Sequence, residues 1–231
     1  MSEIYLDCHA TTPLDPRVFE QMQPWMVGTP ANAHAQQHNF GQRAEDAVAV
    51  ARSQVARLIG ARAHEVVFTS GATEANNLAL LGVCSSRHKV LVSAMEHPSI
   101  GACVQALEQA GKKVEEVPVN RDGMVDLDAL QAKVDDTTAL VSIMLANHEV
   151  GTVQPMRQIA DIVRSSGARL HTDATQAAES CPSKSARSMW TYSVFPPTNY
   201  TDRWALELCL YGQIPASCFS RAHWGAIRNL D

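Results

Sequence analysis

The apolar residues of this chain first repeat at helical spacing and then gather into short runs. The longest helical pattern extends from Phe40 to Ile59 and stops at Gly60, a residue type that commonly ends helices. A shorter helix is predicted from Arg17 to Met26, after the turn TPLDP. The N-terminal part is therefore predicted to be helical.

From residue 65 to residue 173, strand-like and helix-like patterns alternate. The predicted strands are 65–71, 89–93, 114–119, 139–146 and 168–173, and the predicted helices are 73–83, 98–110, 127–134 and 155–166. Strands and helices that alternate at these intervals are typical of βαβ units. The predicted fold class is therefore α/β, with a mostly parallel sheet and helices on both faces.

The pattern ends within two residues of Ala178. Residues 179–231 contain three of the four tryptophans and eight of the thirteen aromatic residues, with no helical or strand period. We therefore expect two parts: residues 1–178 as one domain, and residues 179–231 as a tail without a defined fold.

Composition narrows the function classes. Hydrophobic residues make up 45% of the chain and charged residues 19%, which is ordinary for a globular protein. The net charge of −5 favours neither nucleic acid nor an anionic membrane as a partner, and no apolar run reaches membrane-spanning length. The six cysteines form no CxxC pair or zinc-like spacing. We expect a cytoplasmic protein with free thiols and no metal site.

Polar residues follow several predicted strands, at the edge of a parallel sheet where ligands bind. The turn TSGAT, residues 69–73, leads into a helix N-terminus that suits a phosphate, although Thr73 could simply cap that helix. In MEHPS, His97 stands between a strand and a helix, where a structural role is the more common one. Each signal is modest alone.

Two further polar stretches follow the last two strands. In ANHEVG, residues 146–151, the side chains of Asn147, His148 and Glu149 could simply make turn hydrogen bonds. In HTDATQ, Asp173 ends a strand and Gln176 follows three residues later, and this carboxylate could only cap the next segment.

Taken together and in this order, the motifs carry a resemblance. SGATEANN, EHPS, ANHEVG and HTDATQ, with YLDCHATTP near the N-terminus, resemble the cysteine desulfurases, which are pyridoxal-phosphate enzymes of aminotransferase class V. The resemblance covers residues 3–178. It implies the large domain of the fold type I pyridoxal-phosphate transferases, in incomplete form.

The resemblance also implies which residues bind pyridoxal 5'-phosphate. They are Ala72, Thr73, His97, His148, Asp173 and Gln176. Ala72 and Thr73 would hold the phosphate, and His97 would stack on the pyridine ring. Asp173 would keep the pyridine nitrogen protonated, and Gln176 would donate to the phenolic oxygen.

Two positions depart from the family pattern. His148 stands where the family usually has a second asparagine near the cofactor. Residues 29–32, TPAN, also differ from the asparagine-proline-small-serine loop that the family usually has.

The resemblance implies a catalytic lysine that this chain lacks. In the family, the lysine that binds the cofactor covalently lies in a Ser-Gly/Ala-His-Lys-x-Tyr-Gly-Pro motif after the aspartate. Here the only lysine after Asp173 is Lys184, which is too early and in another context. The cysteine that accepts sulfur and the C-terminal small domain are also absent from the sequence. We therefore assign no catalytic residue and expect the chain to be inactive as a desulfurase.

The tail encodes the missing motif in another reading frame. Back-translated from the last base of the Ala178 codon, the permitted residues include Leu-Ser-Val-Ser-Ala-His-Lys-Leu-Tyr-Gly-Pro. Some letters are forced by single or near-single codons: Met189 with Trp190 forces valine, and Trp190 with Thr191 forces aspartate. We therefore expect a frameshift near codons 177–178, with residues 179–231 read out of frame.

The functional expectation follows from the resemblance. The intact parent would remove sulfur from L-cysteine, giving L-alanine and an enzyme persulfide, as a homodimer that passes sulfur to acceptor proteins in iron–sulfur cluster biogenesis. Two alternatives stay open: a non-catalytic fragment that binds pyridoxal phosphate or dimerises, and a selenocysteine lyase or another class V relative.

Overall fold

A computed structural model of the chain describes residues 4–5, 14–28, 31–59, 61–83 and 87–175. The predictions for Gln176, Lys184 and the tail 179–231 lie outside the described residues. Two compact units divide between Val55 and Ala56. Each unit is described by itself below.

Most of the described residues of the first unit are helical. Helix α1, Pro16–Gln23, begins after Asp15, whose carboxylate accepts a hydrogen bond from the Arg17 N–H at 2.8 Å. The chain continues as a π-helical turn, Pro24–Gly28, so the predicted helix is present in two forms. Helix α2, Asn39–Ile59, matches the predicted long helix to within one residue.

The second unit contains the sheet. Its helices are α3 (Ala72–Val83), α4 (Pro98–Gln109), α5 (Leu127–Lys133) and α6 (Met156–Ser166), and its strands are β1 (Lys89–Ser93), β2 (Lys113–Val117), β3 (Thr138–Ser142) and β4 (Arg169–His171). All four strands are parallel, in the order β2-β1-β3-β4. The predicted parallel α/β fold is confirmed.

Both faces of the sheet are covered by helices. Val90 and Val92 of β1 pack with Ile100 and Leu107 of α4, in a cluster that also contains Leu80 of α3. Leu91 points to the opposite face, where its cluster holds residues of α5 and α6, including Leu130 and Ile159. Because neighbouring side chains of a strand alternate between the two faces, a strand buried on both sides reads as a continuous apolar run.

One predicted strand is wrong. Residues 65–71 form no strand in the described part of the chain, and only Val66 has a strand-type bridge. Glu65 instead ends a short 3₁₀ turn, Ala63–Glu65, and its carboxylate accepts hydrogen bonds from the backbone and side chain of Arg62. A local charged turn therefore replaces the start of the strand.

The chain connections open a crevice beside β1 and β3. From β1 the chain crosses through α4 to β2, and from β3 it crosses through α6 to β4, while α4 and α6 pack on opposite faces. Adjacent strands whose connections diverge in this way leave room for a ligand outside their carboxyl ends. No helix in the described ranges is long and apolar enough to cross a membrane.

Candidate functional site

Asp173 follows β4 and is 5% exposed. Its Oδ1 accepts hydrogen bonds from the Thr175 N–H at 3.0 Å and the Thr175 hydroxyl at 2.6 Å, and its Oδ2 accepts one from Asn76 Nδ2 at 3.0 Å. Burial opposes ionisation most strongly, but the donors from Thr175 and Asn76 outweigh it and lower the pKa of Asp173. This buried carboxylate therefore stays ionised near neutral pH.

Asn76 connects Asp173 to the first turn of α4. This α3 side chain is fully buried, and its Nδ2 also donates to Ser99 Oγ at 3.1 Å. Ser99 Oγ lies 2.9 Å from His97 Nδ1. A continuous chain of hydrogen bonds therefore joins His97 to Asp173.

His97 caps helix α4. Its Nδ1 accepts a hydrogen bond from the Ser99 N–H at 3.1 Å, and Pro98 follows as the first helical residue. The ring of His148 lies 6.0 Å away between centroids and is tilted by 50°. The structural role considered for His97 is therefore real, and it fixes the place of the ring at the crevice.

Glu96 joins the segment that follows β1 to the segment that follows β3. Its Oε1 accepts a hydrogen bond from the Met144 N–H at 2.7 Å, while its buried Oε2 has no partner among the described residues. Burial raises the pKa of Glu96 to about 8, and the negative charge of Asp173 adds to this rise while the Met144 N–H opposes it. Glu96 is therefore mainly protonated at neutral pH.

The two carboxyl groups of this crevice thus hold different charges. Asp173 has three hydrogen-bond donors and is ionised, whereas Glu96 has one and is neutral. Pairs of carboxyl groups whose surroundings separate their pKa values in this way are common at functional sites.

A second polar pair lies on the neighbouring strands, with Ser142 buried and His171 half-buried. Ser142 Oγ of β3 lies 2.9 Å from His171 Nδ1 of β4. Burial lowers the pKa of His171 to about 4, against the opposing effect of the Asp173 charge. His171 is therefore neutral at physiological pH and adds no positive charge next to Asp173.

The predicted phosphate turn leads into α3 as expected. Helix α3 begins at Ala72, and the backbone N–H groups of Ala72 and Thr73 have no hydrogen-bond acceptor among the described residues. The preceding N–H of Ser70 is bound by the Glu74 carboxylate at 2.6 Å. Thr73 makes no side-chain cap to the described residues, and unbonded N–H groups at a helix N-terminus are suited to bind an anion.

The structure brings some of the predicted residues together and not others. His97, His148 and Asp173 lie in the segments that follow β1, β3 and β4. Asn147 is a turn residue, because its Oδ1 accepts the N–H groups of Glu149 and Val150.

Sequence reasoning missed three buried groups at this crevice. They are Asn76, Glu96 and Ser99. All three stand inside motifs singled out above, SGATEANN and MEHPS, and an asparagine on the apolar side of a helix was an available signal.

The sequence of this chain is similar to those of known proteins. A profile of the family described as "Aminotransferase class-V" matches residues 4–188. The cysteine desulfurase IscS of Rickettsia felis is 44% identical over 177 residues, which is 75% of this chain and 43% of that relative. The chain therefore spans less than half the length of the curated relatives it matches.

Solved structures give the same picture. A "NIFS-LIKE PROTEIN" superposes with a TM-score of 0.74 at 35% sequence identity, over 76% of this chain and 50% of that one. The structure described as "SspA in complex with cysteine" has a TM-score of 0.71 at 32% identity and covers 75% of this chain and 51% of its own. The fold and about half of the relatives' length are therefore shared.

Proposed function

We propose a function that proceeds from one premise, which is that this chain belongs to the aminotransferase class-V family. Its N-terminal portion is of the cysteine desulfurase kind, and that family depends on pyridoxal phosphate. The proposal is that residues 1–178 are the cofactor-binding part of a desulfurase whose intact form acts on L-cysteine. The alternative of a selenocysteine lyase stays open.

The ionised Asp173 is the single observation that carries cofactor binding. A protonated pyridine nitrogen needs a buried acceptor, and Asp173 is buried, charged and held by Asn76 and Thr175. The N–H groups of Ala72 and Thr73, which have no acceptor among the described residues, supply donors for a phosphate. The donor and acceptor set of the crevice therefore fits this cofactor.

The chemistry divides between the cofactor and the protein. Pyridoxal phosphate supplies an electron sink. In the proposal, Asp173 holds the proton of the ring nitrogen, His97 packs on the ring face, and His148 lies at its edge. Gln176 would donate to the phenolic oxygen.

We also propose that this chain does not turn over cysteine. The family motif around the lysine is missing in frame, and the only lysine after Asp173 is Lys184. Residues 179–231 would then be a product of a frameshift near codons 177–178, and the chain would bind pyridoxal phosphate without covalent attachment.

A binding experiment tests the cofactor proposal. The full chain is titrated with pyridoxal phosphate, and the absorbance spectrum, size-exclusion profile and sulfide release from L-cysteine are recorded. We expect saturable binding that dialysis reverses, with no sulfide. Borohydride trapping of the cofactor on this chain at stoichiometric yield would refute the absence of an attaching lysine, and no saturable binding would refute the site.

Sequencing and repair of the gene test the frameshift proposal. The codons of residues 179–213 must spell the family motif when read one base earlier, and a gene that does not is incompatible with the proposal. Inserting one nucleotide at codon 178 is expected to create a chain that borohydride links to the cofactor. The matched control inserts three nucleotides there and leaves the frame unchanged.

A further inference from the structure

We propose that Ser99 is a positioning residue that fixes the proton of the His97 ring on Nε2 and joins that ring to Asp173 through Asn76. This inference rests on the proposed function, because His97 and Asp173 are the groups that would flank the cofactor ring. Three side-chain hydrogen bonds carry it: Asp173–Asn76, Asn76–Ser99 and Ser99–His97.

The charge on Asp173 sets the direction of the first bond. An ionised carboxylate has no proton and can only accept. The Asn76 amide must therefore turn its Nδ2 toward Asp173 Oδ2, which lies 3.0 Å away. The orientation of a buried amide, which is often ambiguous, is fixed here by its neighbour.

The second hydrogen of Asn76 Nδ2 sets the role of Ser99. It points to Ser99 Oγ at 3.1 Å, so that this oxygen accepts. A hydroxyl has a single hydrogen, and among the described residues the other hydrogen-bond partner of Ser99 Oγ is His97 Nδ1 at 2.9 Å. The hydroxyl therefore donates to the ring.

His97 Nδ1 receives a second donor from the same residue. The backbone N–H of Ser99 also points to Nδ1, at 3.1 Å. A proton on Nδ1 would face both of these hydrogens, so Nδ1 must present its lone pair. The ring proton is thus on Nε2, the nitrogen that has no hydrogen-bond partner among the described residues and would face a ligand.

The hydrogen bonds from His97 to Asp173 are shielded from water. Asn76 is fully buried and Ser99 is 8% exposed, so water cannot replace a missing partner easily. Breaking any one of these three hydrogen bonds would leave a polar group in an apolar setting. Ser99 therefore acts through His97, and it is not itself expected to touch the cofactor.

The ¹⁵N spectrum of the histidine rings tests the tautomer in the full chain. In the wild-type chain we expect His97 to show a protonated Nε2 and a hydrogen-bonded, unprotonated Nδ1. Ser99→Ala should move the Nδ1 resonance toward that of a free lone pair and shift the tautomer ratio by roughly five-fold. Ser99→Thr keeps a hydroxyl and should restore the wild-type pattern.

A matched control comes from the same sheet. Ser142 is another buried serine whose hydroxyl lies 2.9 Å from a histidine Nδ1, that of His171. Ser142→Ala should change the His171 resonances and leave those of His97 in place. A wild-type His97 that is protonated on Nδ1, or that exchanges between tautomers, overturns the proposal, as does a Ser99→Ala spectrum without change.

A cofactor titration separates this proposal from the proposed function. Ser99→Ala should weaken pyridoxal-phosphate binding by roughly five-fold, and Ser99→Thr should not. Failure of the wild-type chain to bind refutes the cofactor site alone, since the tautomer is measured without ligand. Equal affinity of wild type and Ser99→Ala overturns the positioning role.

Discussion

Replacing Glu96 by glutamine should remove a pH-dependent loss of stability. Glutamine has nearly the same shape and still offers an oxygen to the Met144 N–H, which Glu96 Oε1 binds at 2.7 Å. Oε2 of Glu96 is buried and has no partner among the described residues, and the glutamine NH₂ group would stand in the same place. The cost of an unpaired buried polar group is therefore similar in the wild type and the variant, and it largely cancels in their comparison. What remains is the difference in charge.

The magnitude follows from the pKa of Glu96. Its ordinary value is 4.5, and burial together with the charge of Asp173 raises the pKa to about 8 in the folded chain. Below pH 4.5 both folded and unfolded states hold the proton, and stability is not affected. Between pH 4.5 and 8 the unfolded state releases the proton first, so stability falls with rising pH by about 1.4 kcal/mol per unit.

The total is therefore about 3 kcal/mol at pH 7, about 4 kcal/mol at pH 8 and about 5 kcal/mol at pH 9 and above. Glu96→Gln has no proton to lose in this window. Its free energy of unfolding should thus exceed that of the wild type by a margin that grows from pH 4.5 to about pH 9 and then becomes constant.

Urea unfolding followed by circular dichroism, at several pH values from 4.5 to 9, measures this margin. Glu116→Gln is the matched control, because it removes the same charge from an exposed residue of β2. The reasoning is refuted if the Glu96→Gln margin stays flat across this range or does not exceed that of the control.

Three other changes test the site and the fold. Asp173→Asn should weaken pyridoxal-phosphate binding by more than about ten-fold in a fluorescence titration, since it removes a charge-assisted hydrogen bond. Gly123→Ala should lower the stability measured by thermal unfolding by about 1–3 kcal/mol, because φ is +75° and the new Cβ would lie 2.9 Å from Met95 Sδ. The control Gly101→Ala, on α4 with nothing within 4 Å of the new Cβ, should instead raise the stability by about 0.5–1 kcal/mol. The wild-type chain should lose about 3 kcal/mol in free energy of unfolding as the pH falls from 6.5 to 4, because the unfolded imidazole binds a proton there and the folded one, with its pKa lowered to about 4, does not. His171→Gln should remove this loss.

The pattern of apolar residues was enough to predict most of the sheet. The predicted strand 89–93 is β1 as observed, and α4 begins at Pro98 as predicted. Helix α6 ends at Ser166, the predicted last residue, and Gly167 follows with a φ of +69°, a conformation that favours glycine. These features are local, so one stretch of sequence determines each of them.

The errors and omissions depend on distant residues. Residues 65–71 have a strand-like composition, but the local ion pair of Arg62 with Glu65 organises their start. Asn76 and Asp173 are 97 positions apart, and their contact exists only because α3 packs beside the sheet. The motifs predicted that polar groups would meet at the strand ends, but not which of them would hold the proton.

The net charge of the crevice depends on which of its titratable groups are protonated. With Asp173 ionised, Glu96 protonated and His171 neutral, these three groups carry one negative charge instead of two. One protonated ring nitrogen would balance that charge, whereas a phosphate would be repelled and needs a separate place, which the N-terminus of α3 offers. If Glu96 were ionised as well, the crevice would hold an unbalanced buried charge even with the cofactor bound. The neutral state of Glu96 is therefore as much a condition of the proposed site as the charge of Asp173.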